Sequence, residues 1–406
     1  MDLEIRSIAP EELAELHRVV ETSFGGQSTA ERVECERLTV EYDRMIAVVE
    51  NGSFVAGAGA YTFDLTIPGP ATVPVAGVTW VGVLPTHRRR GILSQMMKFQ
   101  LDDVVARGEP IAVLTASEAV IYGRYGYGVG SRFAEVEIKT RRSEFHAAAD
   151  PGGSIRLVWG DEAAKLLPGI YDTWRRTRNG AISRNEGVWT YNFKDKEWNR
   201  HGWGPQFYAV HQTATGEADG YARYRIKQGD ETNQAKVIEV IALDTEVEAA
   251  LWRFVLDLDL TTVVEGSRQP VDDALRWRLA DSRAYDAKGP WDWLWVRLLD
   301  VPASLAARRY DTAGSLVFEV ADRFRPDGDA AGRFRLDAGP DGATCVRTTD
   351  APDITLPVEM LGAAYLGGVP FTTLAQAKRA VGAADALRRA DAMFSSTPLP
   401  FCNTPF

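Results

Sequence analysis

The stretch Gly77–Ser94 reads GVTWVGVLPTHRRRGILS, and the flanking segments take their roles from it. Val78, Trp80 and Val83 are bulky apolar or β-branched residues bounded by Gly77 and Pro85, the signature of a strand. Pro85 ends that strand because proline donates no ladder hydrogen bond. Arg88, Arg89 and Arg90 precede Gly91, after which Leu93, Met96, Met97, Leu101, Val104 and Val105 recur at helical spacing. The segment is thus a strand, a basic turn with one glycine and the N-terminus of a helix. Unpaired backbone N–H groups and a partial positive charge at that terminus suit a phosphate or pyrophosphate. Gly91 lets the anion come close because no Cβ intervenes. An isolated arginine run reads as a solvated turn; the order strand, turn, glycine, helix favours an anion site.

Neither G-x-x-x-x-G-K-[ST] nor G-x-G-x-x-G occurs here. The turn fits [Q/R]-x-x-G-x-[G/A], the pyrophosphate loop of the GNAT acetyltransferase superfamily, as Arg88-Arg89-Arg90-Gly91-Ile92-Leu93. Leucine stands in the last, usually small, position, a mild departure because amide donors do not depend on the side chain. The longer string V-x-V-x-P-T-H-R-R-R-G is followed by Ala116-Ser117-Glu118 and by IYGRYGYG at Ile121–Gly128. Together they resemble the "enhanced intracellular survival" family of actinobacterial N-acetyltransferases, over the full length of the chain.

A chain of 406 residues suggests two or three domains. With 45% hydrophobic and 25% charged residues it has ordinary globular composition. A formal net charge of −10 argues against a general nucleic-acid binder and is compatible with a cationic substrate. Cys35, Cys345 and Cys402 are widely spaced with no C-x-x-C pair, and the five histidines show no ligand spacing, so no metal or disulfide framework is expected. The N-terminus lacks signal-peptide character and no apolar run approaches a membrane span. A reducing cytoplasm is the expected compartment.

Taken in order, Leu3–Ile8 reads as a strand, Pro10-Glu11-Glu12 opens a helix, and Asn51-Gly52 joins two strands as a hairpin. Ile111–Thr115 reads as a buried strand, Ala116-Ser117-Glu118 leads into a short helix, and Phe133–Ile138 alternates as the strand closing this first part. From Ser154 the order repeats: a strand, the helix 161–178, a hairpin of 207–210 with 221–226, the strand 235–242 and the helix 245–258. The turn of this second copy is Leu243-Asp244-Thr245-Glu246. Asp244 or Thr245 caps the helix there and an anion is repelled. Trp291, Trp293 and Trp295 alternate as one strand; short strands and helices then lead to the tail SSTPLPFCNTPF. The expected fold class is α/β (α+β): a catalytic GNAT domain over 1–148, a degenerate GNAT-like domain over 149–290, and a sterol-carrier-protein-like α+β domain over 291–406. The last assignment rests on the family resemblance.

Acetyl transfer from a thioester requires an unprotonated amine, stabilisation of an oxyanion and a proton for the departing thiolate. The resemblance implies acetyl-CoA as co-substrate, with the Val81-Gly82-Val83 backbone along its pantetheine arm. Arg89, Arg90, Gly91, Ile92, Leu93 and Ser94 are placed at its pyrophosphate, and Ser117 and Glu118 beside it. Ser117 reads equally well as a helix N-cap. Tyr122, Tyr125 and Tyr127 are alike as sequence, each a candidate core ring; the I-Y-G-R motif of the family picks out Tyr122 as general acid. The family's base is the terminal carboxylate of a phenylalanine, here Phe406, preceded by Pro405 where some members carry an acidic residue. Ser23-Phe24-Gly25-Gly26 lacks an aspartate carried by members active on polyamine antibiotics. Trp80 either walls the acceptor pocket or belongs to the sheet core. The expected activity is N-acetylation of a cationic amine, on an aminoglycoside-like small molecule or a lysine side chain, by a homo-hexamer. A lipid carrier built on the third domain and a non-catalytic acetyl-CoA-binding assembly protein are the competing readings.

Overall fold

Asn51 and Gly52, with φ of 51° and 76°, turn the chain between strands Ile46–Glu50 and Ser53–Ile67. Two left-handed residues in succession make the turn whose twist matches that of the strands it joins. The structure, a computed structural model, describes residues 3–69 and 71–406. Its first compact unit comprises the residues up to Ser131, Trp293–Pro400 and Thr404–Phe406; the second comprises Arg132–Asp292 and Phe401–Asn403.

In the first unit a mixed sheet runs in the order Leu3–Ser7, Ile46–Glu50, Ser53–Ile67, Ala71–Val83, Ile111–Thr115, Leu294–Leu298, Gly128–Val129. The helix Leu13–Ser23 buries Leu13, Leu16, Val19 and Val20 against one part of it. The helix Ile92–Ala106 buries Met96, Met97, Leu101 and Val104, the periodic set read from sequence. Val105 departs from that set and is 40% exposed.

Two expectations fail here, for one reason. Phe133–Ile138, expected to close the first sheet, lies in the strand Arg132–Lys139, which pairs with Thr261–Gln269 and Tyr285–Asp292 in the second unit. The tryptophan alternation at 291–295 is not one strand: Tyr285–Asp292 ends before Trp293, and Leu294–Leu298 enters the first sheet between Ile111–Thr115 and Gly128–Val129. Period-2 alternation reports a half-buried strand and is silent about its partner.

The second unit repeats the layout with a sheet ordered Tyr285–Asp292, Arg132–Lys139, Thr261–Gln269, Asn233–Ala242, Ala218–Lys227, Gln206–Gln212, Ser154–Val158. The helix Thr245–Leu256 covers it with Val247, Leu251, Trp252 and Val255.

The sterol-carrier-like part, within the first unit, is a sheet of Gly342–Arg347, Gly332–Gly339, Gly314–Ala321, Ile354–Pro357 and Val381–Gly382, with helices including Val358–Tyr365. That helix lies directly on the first sheet. A Cβ on Gly128 would meet the Glu359 carbonyl oxygen at 1.7 Å, and one on Gly362 would meet that of Val296 at 2.4 Å, so only glycine fits at either position. The interior is filled by Phe318, Phe371 and Phe394, in mutual ring contact, and by Arg308. The buried guanidinium of Arg308 donates to the carbonyls of Tyr365 and Phe394 and lies 4.5 Å from the ring centres of both Tyr310 and Phe394.

Candidate active site

Strands Ala71–Val83 and Ile111–Thr115 run parallel and pair from Val75↔Ile111 to Val78↔Leu114, and no further. Beyond Val78 they part, so Val81-Gly82-Val83 has no strand partner on that side. On the other side the same strand pairs with Ser53–Ile67, with a register shift between Gly57 and Gly59. Trp80 sits at that bulge with φ of 57°, a left-handed conformation costly for a bulky side chain. Its indole Nε1 donates to Tyr61 Oη at 3.1 Å, and its ring meets His17 edge-on at 5.5 Å. Backbone strain held by surrounding contacts concentrates at functional sites.

The parting opens a cleft of about 260 Å³. His17, Val20 and Glu21 line it from the first helix, Phe24 from that helix's C-cap, and Glu36 from the helix Ala30–Glu36. Val78–Val81, Thr115, Ser117, Tyr122 and Phe406 complete the wall. Trp80 therefore walls the cleft, while also packing on the core beside Leu13 and Val20. The sequence reading missed His17, Glu21, Glu36 and Thr115. They come from three separate segments, and no local pattern distinguishes them from ordinary surface or strand residues.

At Phe406 the ring packs edge-to-face on Phe63 at 5.2 Å and against Gly77, where a Cβ would stand 3.2 Å from Phe406 Cε2. The Thr115 hydroxyl donates to the main-chain oxygen of Phe406 at 3.3 Å. The three tyrosines, alike in sequence, separate in space. Tyr125 is buried against Phe324 with its hydroxyl 3.2 Å from Ser94 Oγ. Tyr127 is wholly buried, and its hydroxyl has no partner among the described residues. Of the three, only Tyr122 is among the cleft-lining residues. Burial, then the proximity of Tyr125 and Glu118, pushes its phenol up to about 12, so it is fully protonated at neutral pH.

Outside the lining of this cleft, Gly91 is the N-cap of Ile92–Ala106 with φ of 78°, no side-chain cap and nothing within 4 Å of where a Cβ would stand. Arg89 is left-handed too, with φ of 63°, and exposed. Successive amides in such a turn form a concavity for an anion. The arginines divide. Arg88 donates to the carbonyls of Ser23 (2.8 Å) and Val83, and Arg90 is paired with Glu50, which His87 also meets at 3.1 Å. Arg90, expected at the pyrophosphate, shares its charge with a carboxylate forty positions earlier, and both it and Arg89 are exposed. Ser117 is not a helix cap, since Glu118 holds that position before Ala119–Tyr122, without a side-chain cap bond. Ile92 is buried and Leu93 partly so.

Among the described residues no cluster of His, Cys, Asp and Glu is arranged to hold a metal, and no helix is long and apolar enough to cross a membrane. The cysteines are all free and buried.

Comparison with known proteins matches three stretches of the chain. A family described as "Acetyltransferase (GNAT) domain" matches residues 4–130, a second of that description matches 180–298, and "Sterol carrier protein domain" matches 301–403. An "Uncharacterized N-acetyltransferase" of Streptomyces avermitilis is 40% identical over 93% of both chains. "N-acetyltransferase Eis" of Mycobacterium tuberculosis is 36% identical over 85% of this chain and 84% of its own. The crystal structure of Eis1 from Mycobacterium abscessus superposes with a TM-score of 0.88 at 34% identity, covering 99% of this chain and all of that one. GNAT domains use acetyl-CoA. The chain belongs to the Eis family of GNAT-superfamily N-acetyltransferases, with two GNAT domains followed by a sterol-carrier domain.

Proposed function

We propose that this enzyme transfers acetyl from acetyl-CoA to a cationic amine, on a polyamine or aminoglycoside-like molecule or a lysine side chain, with Tyr122 as acid and the terminal carboxylate of Phe406 as base. The observation that carries this reading is the sharing of one cleft by Tyr122, Phe406 and the carboxyl-bearing residues Glu21 and Glu36. An ammonium is drawn to such a lining. Glu21 is also bonded to Arg32 at 2.7 Å.

In this reading the pantetheine arm lies along the unpaired edge of Val81-Gly82-Val83. The pyrophosphate rests on the amides of Arg89–Ser94 and the Arg89 guanidinium, with Ser117 and Glu118 flanking the thioester end. The Phe406 carboxylate, ionised at neutral pH and held by the Thr115 hydroxyl, takes a proton from the ammonium, directly or through water. The freed nitrogen bonds the carbonyl carbon. When the carbon–sulfur bond breaks, Tyr122 hydrogen-bonds the sulfur and gives it a proton, and the proton leaving the new amide nitrogen replaces the one Tyr122 gave up. Ammonium and acetyl-CoA thus yield amide, free thiol and one proton. A phenol held near 12 keeps its proton until the sulfur carries nearly full charge, so hydrogen bonding precedes transfer. Hexameric assembly, implied by the family resemblance, belongs to the same reading; Trp277, Leu260 and Trp159, all more than half exposed, offer apolar surface for it. Lipid carriage finds no support in a third region whose interior is occupied by aromatic rings and Arg308.

Adding one glycine after Phe406 moves the carboxylate by about 3.5 Å of chain. Thiol release from acetyl-CoA, read across aminoglycosides, polyamines and lysine peptides, should fall by at least about 10²-fold for every acceptor while acetyl-CoA affinity holds. Native turnover by the extended protein overturns the carboxylate as base and turns attention to Glu118.

A further inference from the structure

One polar residue of the first helix is buried among apolar ones. Leu13–Ser23 buries Leu13, Leu16, His17, Val19 and Val20, and His17 is only 4% exposed. Val20 and Glu21 follow it at the spacing that places side chains on one helix face, and all three line the cleft. The imidazole Nδ1 stands 2.6 Å from the hydroxyl of Ser28, in the stretch between this helix and Ala30–Glu36. Nε2 has no hydrogen-bond partner among the described residues. The ring edge on Trp80 accounts for an aromatic side chain here and not for its nitrogens. An apolar residue would fill the same space without a polar atom to satisfy. Burial pushes the imidazole pKa below its usual value, with Glu21 opposing that shift and Arg32 adding to it. The ring is therefore neutral at neutral pH, with one nitrogen carrying the proton and the other able to accept a hydrogen bond.

We propose that His17 is a specificity-determining residue for the acceptor, with Nε2 accepting a hydrogen bond from an N–H or O–H of that molecule while Nδ1–H donates to Ser28. The inference rests on the reading of this cleft as the seat of a cationic amine. An ammonium brings donors and no lone pair, so only the tautomer with its lone pair on Nε2 serves it. The Ser28 hydroxyl supports that tautomer, because its oxygen can take the Nδ1 proton in a hydrogen bond. A buried site built to pair with a donor discriminates against molecules that lack one, which leave its polar atom unpaired.

The test titrates spermine and kanamycin by calorimetry into the full-length enzyme saturated with CoA. Binding is read before any chemistry, so the result does not depend on which group is the base. His17→Phe keeps a ring against Trp80 and removes both nitrogens; His17→Gln keeps a polar acceptor and gives up the ring. The first should weaken binding of the probe by about tenfold, the worth of one hydrogen bond, and the second should recover most of that loss. Ser28→Ala leaves the ring but frees its tautomer, should weaken binding about threefold, and serves in place of His17→Phe should that variant fold poorly. Acetyl-CoA affinity should hold throughout. For a probe that is acetylated, KM should rise in His17→Phe and kcat stay near native. Native binding by His17→Phe, or binding by His17→Gln as poor as that of His17→Phe, reduces His17 to packing and overturns the inference. A fall in kcat at native acceptor affinity overturns it too, by placing His17 in proton transfer. If neither probe binds the native protein, the amine-cleft reading itself fails, and this inference with it.

Discussion

The two GNAT domains part their strands at matching places and put opposite chemistry there. In the first domain pairing ends at Val78 and in the second at Val237, each five residues before its strand ends at Val83 or Ala242. Two residues past the last pair stands Trp80 in one and Glu239 in the other. Trp80 is bulged, left-handed and walls an open cleft; Glu239, beside a register shift opposite Arg223 and Tyr224, neutralises two buried guanidiniums. The turns that follow diverge as well. In the first domain an eight-residue stretch with Arg89 and Gly91 in left-handed conformation leads to a helix with no side-chain cap. In the second, two residues suffice, and the Asp244 side chain caps the helix by accepting from Glu246 N at 2.7 Å. A GNAT sheet therefore supplies a wedge in either case. Whether the wedge is a binding site depends on side chains at a few equivalent positions.

The largest effect expected from breaking this contrast is at Glu239. Glu239→Ala leaves Arg184 and Arg223 buried without their carboxylate and should cost about 3–5 kcal/mol in denaturant unfolding of the second unit. Truncating Trp80, by contrast, orphans no charge. The two arginines also give the second unit an acid signature. Although burial opposes ionisation, they hold the Glu239 carboxyl at about 2, below its ordinary 4.5. The unfolded chain binds that proton first, so this contribution is whole above pH 4.5 and is lost as pH falls through 2. Glu239→Gln should abolish that part of the pH dependence.

A smaller effect separates the tyrosines. Tyr122→Phe should lower kcat by about 10²-fold, equivalent to about 2.7 kcal/mol, with acetyl-CoA affinity nearly intact. Tyr127→Phe, which deletes a buried hydroxyl lacking a partner, should be neutral or mildly stabilising. Similar losses in kcat from both would show that packing, not acid catalysis, explains Tyr122.

The smallest pair of effects compares the helix starts. Gly91→Asp keeps a residue that tolerates left-handed φ but sets a carboxylate against the anion site, and should weaken acetyl-CoA binding by about 2 kcal/mol, near thirtyfold by calorimetry. Asp244→Ala in the other domain should cost about 1 kcal/mol of stability through the lost cap and leave acetyl-CoA affinity unchanged. Equal effects on binding from the two substitutions would erase the functional distinction between the wedges.

Much of this contrast was legible in the sequence. Arg88–Gly91 announces an uncapped turn and Asp244 a capped one because capping is local chemistry. The second unit came from the repeat of element order beginning at Ser154, and the third domain and the choice of Tyr122 from the family resemblance. What sequence did not reveal is non-local. Nothing near Arg90 indicates that Glu50 will take its charge. Thr115 looks like any strand end, and Glu21 and Glu36 like solvated helix residues. Phe133–Ile138 was recognised as a strand and assigned to the wrong sheet, since alternation fixes which face is buried and leaves the neighbour open. The filling of the second wedge was invisible for the same reason, because Glu239 meets Asn403 over 160 positions away.

The strand Leu294–Leu298 has a consequence for biosynthesis. Val113 pairs with Val296, about 180 residues later, and a ribosome adding about 5–20 residues per second needs roughly 10–40 s to cover that distance. Throughout that interval the apolar strand Ile111–Thr115 has one edge without its partner, a template for association with other nascent chains. The domain that appears first is thus finished late, after the whole intervening domain has been made. Its yield in a cell is set by how well that edge is shielded during the wait as much as by the stability of the finished fold.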